Sequence, residues 1–252
     1  MIKSRDNSQV KRWTKLARDG RFRRAEQRAL LEGPHLLEAA LAAGLRLEAV
    51  LATESGVAKI SSLMQRAAKA PTLVSEGILR SIVDAETPQG VAAEIAIPTL
   101  RRDGPTVFLE GVQDAGNVGA IVRSAAAFGA GMVVLDRHCA DPWSPKVLRA
   151  GAGGHFALGI RQVDDLAAAL ESFPGRIICT VVRDGRALRR ADLSGRLGWL
   201  FGSEGGGVSP SLAALAAERV TIPMAQGTES LNVAAAAAVC LYEVFSRPAA
   251  GS

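Results

Sequence analysis

A chain of 252 residues, 48% of them hydrophobic, has enough apolar material for one large domain or two ordinary ones, which argues against disorder. Its three cysteines form no CxxC pair, so neither a disulfide framework nor a cysteine zinc site is expected, and no apolar run reaches the ~18 residues of a membrane helix. The net charge of +5 is uneven: residues 1–28 hold ten Lys or Arg against three acids, whereas the other 224 residues hold 20 bases and 22 acids.

A basic leader on a near-neutral body is the footprint of a polyanion partner, although a solvated helix face gives the same composition. Met1 to Asp6 has no apolar core for secretion, and the cysteine usage fits a reducing compartment. A soluble cytoplasmic protein is therefore expected.

The elements follow in chain order. Asn7 to Asp19 reads as a basic amphipathic helix with Val10, Trp13 and Leu16 or Ala17 on one stripe, stopped by Gly20. Ala29 to Gly33 is a short strand, and Pro34 opens a helix that runs to Ala43 before Gly44. Leu47–Ala52 is a predicted strand, Val57–Ala68 a helix, Thr72–Val74 a strand, Glu76–Val83 a helix and Gly90–Ile97 a strand. This alternation predicts a small α/β domain over residues 1–97. Residues 98–105, with two prolines, one glycine and three charges, read as a linker.

A second α/β pattern fills residues 106–252. Strands are predicted at Thr106–Glu110, Met132–Leu135, Phe156–Ile160, Arg176–Val182, Gly198–Phe201 and Arg219–Ile222. Helices are predicted at Val118–Phe128, Pro145–Ala150, Asp164–Ser172, Ser209–Ala217 and Leu231–Ser246.

Three stretches of this second half place glycines or small polar residues where a strand stops and a helix begins, the place where open α/β sheets gather ligands. In the first, Gly116 and Gly119 allow a tight turn, Asn117 offers an amide at the mouth of the loop, and the Arg123 guanidinium can fork onto a phosphate or carboxylate. The second, Gly202-Ser203-Glu204-Gly205, follows the strand end Trp199-Leu200-Phe201 and lacks the Lys-Ser/Thr pair of a P-loop. In the third, Ile222-Pro223-Met224 precedes Ser230-Leu231-Asn232 at the head of an Ala-rich helix, where Ser230 and Asn232 also fit as simple caps. His35, His138 and His155 show no metal-ligand spacing.

In this order and spacing the three stretches resemble the motifs of the SpoU/TrmH family of RNA ribose 2'-O-methyltransferases, members of the SPOUT class. The likeness covers residues 106–247, and Leu31-Glu32-Gly33-Pro34-His35-Leu36-Leu37-Glu38-Ala39-Ala40 is similar to the opening of the substrate-binding extension that many members carry. The resemblance implies a C-terminal SPOUT-type α/β domain with a trefoil knot, preceded by a smaller α/β RNA-binding domain like those of some ribosomal proteins. It implies S-adenosyl-L-methionine as cofactor, RNA as substrate (ribosomal RNA before transfer RNA), a homodimer, and no metal or membrane.

By the same resemblance the catalytic set is Asn117, Arg123, Glu204, Ser230 and Asn232. The cofactor loops are Thr180 and Val181, then Gly202, Ser203 and Glu204, then Ile222, Met224 and Leu231. Lys11, Arg12, Arg21, Arg23 and Arg24 of the leader are expected on RNA phosphates, and Trp13 in the core. The family's base maps to Arg123, but a guanidinium with a pKa above ~12 is better suited to orienting substrate and spreading charge. Two positions depart from the family pattern: Ala115 stands where proline is frequent, and Gly151 where serine is expected.

Two other readings fit parts of the chain. A Rossmann-type cofactor enzyme is suggested by Gly116 and Gly119 after a strand and Asp136 at the end of the next, yet GxGxxG is missing. A catalytically silent RNA-binding protein of the same fold remains a second alternative.

Overall fold

The computed structural model describes residues 1–67 and 69–247. The chain forms two compact units, one of Met1–Pro98 with Asp141–Phe156, the other of Thr99–Ala140 with the chain from Ala157 onward. The segment Asp141–Phe156, which the sequence pattern places in the C-terminal domain, thus packs with the first unit.

In the first unit α1 (Ser8–Arg18) starts at Asn7, whose side chain accepts from the Gln9 and Val10 amides. Its apolar stripe of Val10, Trp13, Leu16 and Ala17 is buried in one cluster with Leu30, Leu51, Ile78, Leu79 and Ile82. Gly20 does not stop the basic segment: Asp19 ends α1 and caps a second helix, α2 (Gly20–Glu26), by accepting from the Arg21 and Phe22 amides. Glycine at position 20 answers a close approach instead, since a Cβ there would stand 2.6 Å from Asp141 Oδ2.

Then follow β1 (Arg28–Glu32), α3 (Pro34–Ala42), β2 (Leu47–Ala52), α4 (Glu54–Ala67), β3 (Thr72–Leu73), α5 (Glu76–Ile82) and β4 (Val91–Ala96). Ala68, expected as the last residue of the fourth helix, lies outside the described residues. The strands form a sheet in the order β1-β4-β2-β3, with β4 antiparallel to both neighbours.

Buried charge is paired in this unit. Glu94 accepts from Trp13 Nε1 at 3.2 Å and from Arg12 at 2.8 Å. Arg23, 3% exposed, donates to Asp141 Oδ2 through two nitrogens and to the carbonyls of Leu16 and Ala17 through a third. After Asp141 comes α7 (Pro145–Gly151), whose Arg149 donates to Glu32 and Asp84 at 2.7 Å each. Gly151 is the last residue of α7 and is buried, so serine there would bring a hydroxyl that needs a partner.

The second unit is built on a seven-stranded parallel sheet. Its elements are β5 (Thr106–Leu109), α6 (Ala115–Ala127), β6 (Met132–Leu135), β7 (Gly159–Gln162), α8 (Leu166–Glu171), β8 (Arg176–Thr180), β9 (Arg186–Ala187), β10 (Leu197–Phe201), α9 (Pro210–Ala213), β11 (Glu218–Thr221) and α10 (Val233–Ser246). The short β9 is absent from the sequence pattern. β7 starts later than expected, because residues 154–156 form a tight helical turn and Gly159 marks where the strand passes the Leu100 carbonyl. All five residues of β10 are buried, as a parallel strand covered on both faces requires.

The sheet order is β7-β6-β5-β10-β8-β11-β9. Its first three strands wind outward like a dinucleotide-binding half. The next strand in the chain, β8, does not take the place beside β5; the later β10 lies there instead. This order corrects the Rossmann alternative.

His155 in the first unit carries a pH dependence. Its ring is fully buried beside Trp143, Nε2 lies 2.8 Å from the Pro142 carbonyl, and Nδ1 has no partner among the described residues. The carbonyl can only accept, so Nε2 carries the proton, and a second proton on Nδ1 would find no acceptor. Burial lowers the pKa from 6.5 to about 4. Between these values the unfolded chain binds a proton that the folded chain refuses, so stability is full above pH ~6.5 and falls as pH drops toward ~4. Thermal unfolding of the wild type and of His155→Gln, from about pH 7 to about pH 5, should show a steeper loss in the wild type; parallel curves would count against this role.

Candidate functional site

The loops that follow three neighbouring parallel strands converge on one cleft. After β8 come Val181 and Val182, after β10 the glycine-rich segment 202–207, and after β11 Ile222, Met224 and the approach to α10. The cleft holds about 590 Å³, within the range of small-molecule sites, and opens at the C-terminal edge of the sheet.

The glycine-rich loop folds back on itself. Ser203 and Gly207 exchange backbone hydrogen bonds of 3.1 and 2.9 Å, and the Gly206 amide donates to Ser203 Oγ at 3.2 Å. A Cβ on Gly202 would collide with the Gly207 and Val208 backbone, so glycine is required there, and Gly207 takes a positive φ of 64°. Thr180 Oγ1 donates to the Leu200 carbonyl at 3.2 Å and fixes the end of β8 against β10.

Asn117, Glu204 and Asn232 meet at the rim of this cleft. Asn232 caps α10: its Oδ1 accepts from the Ala234 and Ala235 amides at 2.9 and 3.3 Å. That leaves its Nδ2 to donate to Asn117 Oδ1 at 3.0 Å, and Asn117 Nδ2 to donate to Glu204 Oε1 at 2.6 Å. Only one orientation of each amide satisfies all these bonds. Asn117 is not in the loop before its helix, as the sequence suggested, but in the first turn of α6. Asp114 caps that helix by accepting from the Asn117 amide at 2.8 Å. Ala115 takes the first helical position, where proline is favoured and alanine also fits.

Every expected cofactor residue lines the cleft: Thr180, Val181, Gly202, Ser203, Glu204, Ile222, Met224 and Leu231. Ser230 lines it too, without a hydrogen-bond partner among the described residues. Arg123 does not. It lies exposed on α6, without a hydrogen-bond or ion-pair partner among the described residues.

Sequence reasoning missed Val208, Val233 and Ala236 of the lining, since apolar residues beside a motif look like ordinary core. It also missed Asp114, which a reading of Asp three residues before Asn117 as a helix cap would have found. No group of three or more His, Cys, Asp or Glu among the described residues is placed to hold a metal. No helix among them is long and apolar enough to cross a membrane.

The expected RNA contacts in the first unit divide. Arg23 is removed from the set, because its guanidinium is buried and fully committed to Asp141 and two carbonyls. Arg12 is half-buried on Glu94 and Glu26. Lys11 and Arg21 are exposed, and Arg24 is half-buried.

Residues 104–242 match the SpoU rRNA Methylase family, and residues 7–93 match the MRM3-like substrate binding domain. The chain belongs to the SpoU family. It is 36% identical to an uncharacterized tRNA/rRNA methyltransferase of Synechocystis sp. across 96% of this chain and 92% of that protein. It is 30% identical to the 23S rRNA (guanosine(2553)-2'-O)-methyltransferase RlmP of Bacillus subtilis across 96% and 98%. The AdoMet-bound rRNA methyltransferase of Sinorhizobium meliloti superposes with a TM-score of 0.81 at 26% identity, covering 96% of each chain.

The polar chain of this SpoU protein can be tested directly. Asn117→Asp sets a second carboxylate against Glu204 where a 2.6 Å donor stood. Calorimetry with S-adenosylmethionine should show roughly tenfold weaker binding, about 1.4 kcal/mol. Adding Glu204→Gln to the same chain should restore it. Unchanged affinity in the single variant would detach this chain from the cofactor site.

Proposed function

We propose that this SpoU protein transfers the methyl group of S-adenosylmethionine to a ribose 2'-hydroxyl of RNA, ribosomal RNA in preference to transfer RNA. The observation that carries the reading is the meeting of Asn117, Glu204 and Asn232 at the mouth of a cleft lined by the three cofactor loops. The cleft suits the cofactor: it has the volume, a backbone cradle that tolerates only glycine at 202, and an apolar wall of Val181, Ile222 and Leu231. RlmP is named for ribose methylation of 23S rRNA, which favours the ribosomal substrate.

When bound, the cofactor supplies an electrophilic methyl on a sulfonium leaving group. The chain's own residues then have mainly to position the 2'-oxygen, a contribution that can reach ~7–11 kcal/mol. Asn117 and Asn232 hold Glu204 at the rim. Its carboxylate, with Oε2 unpartnered among the described residues, or an RNA phosphate takes the 2'-hydroxyl proton as the new O–C bond forms. Arg123 orients the substrate through a fork of N–H donors and stays protonated. Ser230 donates to substrate or cofactor at the open side of the cleft.

The deep knot of the SPOUT class is part of the proposal, supported by the placement of β10 between β5 and the earlier β8. So is a homodimer. Helix α10 exposes Val239, Tyr242 and Phe245, the last 62% exposed, with Phe128 of the same unit edge-on to Tyr242. An aromatic patch of this kind fits a second copy of the chain. Sedimentation at twice the monomer mass is expected, and a monomer at micromolar concentration would remove this part. A cytoplasmic location is part of the same proposal.

The purified protein should label ribosomal RNA with methyl groups from S-adenosylmethionine, and nucleoside analysis should find 2'-O-methylribose. A silent RNA-binding protein would give no label. Arg123→Lys keeps the charge but not the fork, and turnover should fall at least ~100-fold; full activity in that variant would discredit the assigned role.

A further inference from the structure

The basic residues of the leader are sorted by the fold. Arg12, Arg23 and Arg28 face the acids Glu26, Glu94, Asp141 and Glu48. Arg5, Lys11, Lys15 and Arg18 instead line one groove of about 550 Å³, together with Thr14 and Ser81. At 3.6 residues per turn Lys11, Lys15 and Arg18 project within about 60° of one another, and a 1.5 Å rise spreads them over roughly 10 Å. That span is enough to meet a few consecutive phosphates of one strand.

The positive charge of the groove is nearly uncompensated. Its one ion pair among the described residues, Lys11 with Asp6 at 3.0 Å, has side chains 60% and 92% exposed and is weak in salt. Lys15 lies over the Phe22 ring, 5.6 Å from its centroid, and Arg18 donates to the Ser81 carbonyl at 2.9 Å. Both contacts aim the side chain without neutralising it. The apolar stripe of α1 is consumed by the core, which leaves nothing to insert into a lipid surface.

We propose that this groove is a track for the RNA phosphate backbone, in which Lys11, Lys15 and Arg18 take successive phosphates and Arg5 closes one end. The assignment rests on RNA being the substrate and differs from the set expected from sequence, because Lys15, Arg18 and Arg5 join Lys11 while Arg12, Arg21, Arg23 and Arg24 lie outside the groove. Recognition here is of the backbone, so it adds affinity and register but no base preference.

The test uses the full chain and a fluorescent in-vitro transcript of ribosomal RNA. The triple variant Lys11→Ala, Lys15→Ala, Arg18→Ala should bind at least ~10-fold more weakly at low salt, and the slope of log K against log salt should shrink by about two to three. Arg46→Ala, an exposed base on the same unit, should stay within about twofold, as should a charge-keeping triple with Lys11→Arg, Lys15→Arg and Arg18→Lys. An unchanged thermal-unfolding profile verifies the fold of the first unit in each variant, and unchanged S-adenosylmethionine affinity by calorimetry that of the second.

Wild-type affinity and slope in the alanine triple overturns the proposal, even if the wild type methylates RNA. Equal weakening by Arg46→Ala overturns it as well, since the field is then diffuse. A loss of polyglutamate binding with RNA binding intact would give the groove to an acidic polypeptide and also overturn it. Salt-dependent RNA binding lost in the alanine triple, in a wild type that transfers no methyl group, upholds the track while the methyltransferase reading falls.

Discussion

The candidate site depends on two asparagine side chains that cannot turn around. Asn232 Oδ1 is held by the first amides of α10, so its nitrogen must face Asn117; Asn117 then has only its own nitrogen left for Glu204. Donor polarity therefore runs one way, from a helix cap to a carboxylate, and ties together segments 115 and 87 residues apart. The N-termini of α6 and α10 both open onto this chain, and their helix dipoles favour the negative charge of Glu204.

Rigid backbone supports this arrangement from below. The glycine-rich loop closes on itself between Ser203 and Gly207, and β8, β10 and β11 are adjacent in the sheet, so their loops share one edge. A site carried by loops is thereby held by a sheet whose strand β10 is buried along its whole length. The lining is apolar where the loops pack and polar at the rim, which suits a ligand that must be oriented and partly shielded from water.

The first unit uses charge differently. Its buried carboxylates Glu32 and Glu94 each face at least one arginine, and burial still pushes the Glu32 carboxyl above its usual range against the pull of Arg149 and two backbone amides. Such pairs are costly to break singly, because the partner is left charged and dry. The leader is accordingly part of the fold: α1 supplies four core residues and Arg23 anchors Asp141, so removing residues 1–28 would unmake the unit as well as its basic surface.

Much of this was legible in the residues alone. The ends of β2 at Leu47 and Ala52 and of β6 at Met132 and Leu135 follow from local alternation and flanking breakers, whereas the cleft residues were named through the family resemblance that the short glycine, amide and cap motifs carry. The sequence also pointed to Trp13 as core, because its stripe has helical spacing. Tertiary structure alone decided that Asp141–Phe156 joins the first unit, that β10 lies beside β5, and that Arg23 is buried while Lys15 and Arg18 line an open groove. Those outcomes turn on partners as far away as the 118 residues between Arg23 and Asp141. Propensity and periodicity act within a turn or two of the chain, so they shape the elements but carry no information on which distant charge each arginine will meet.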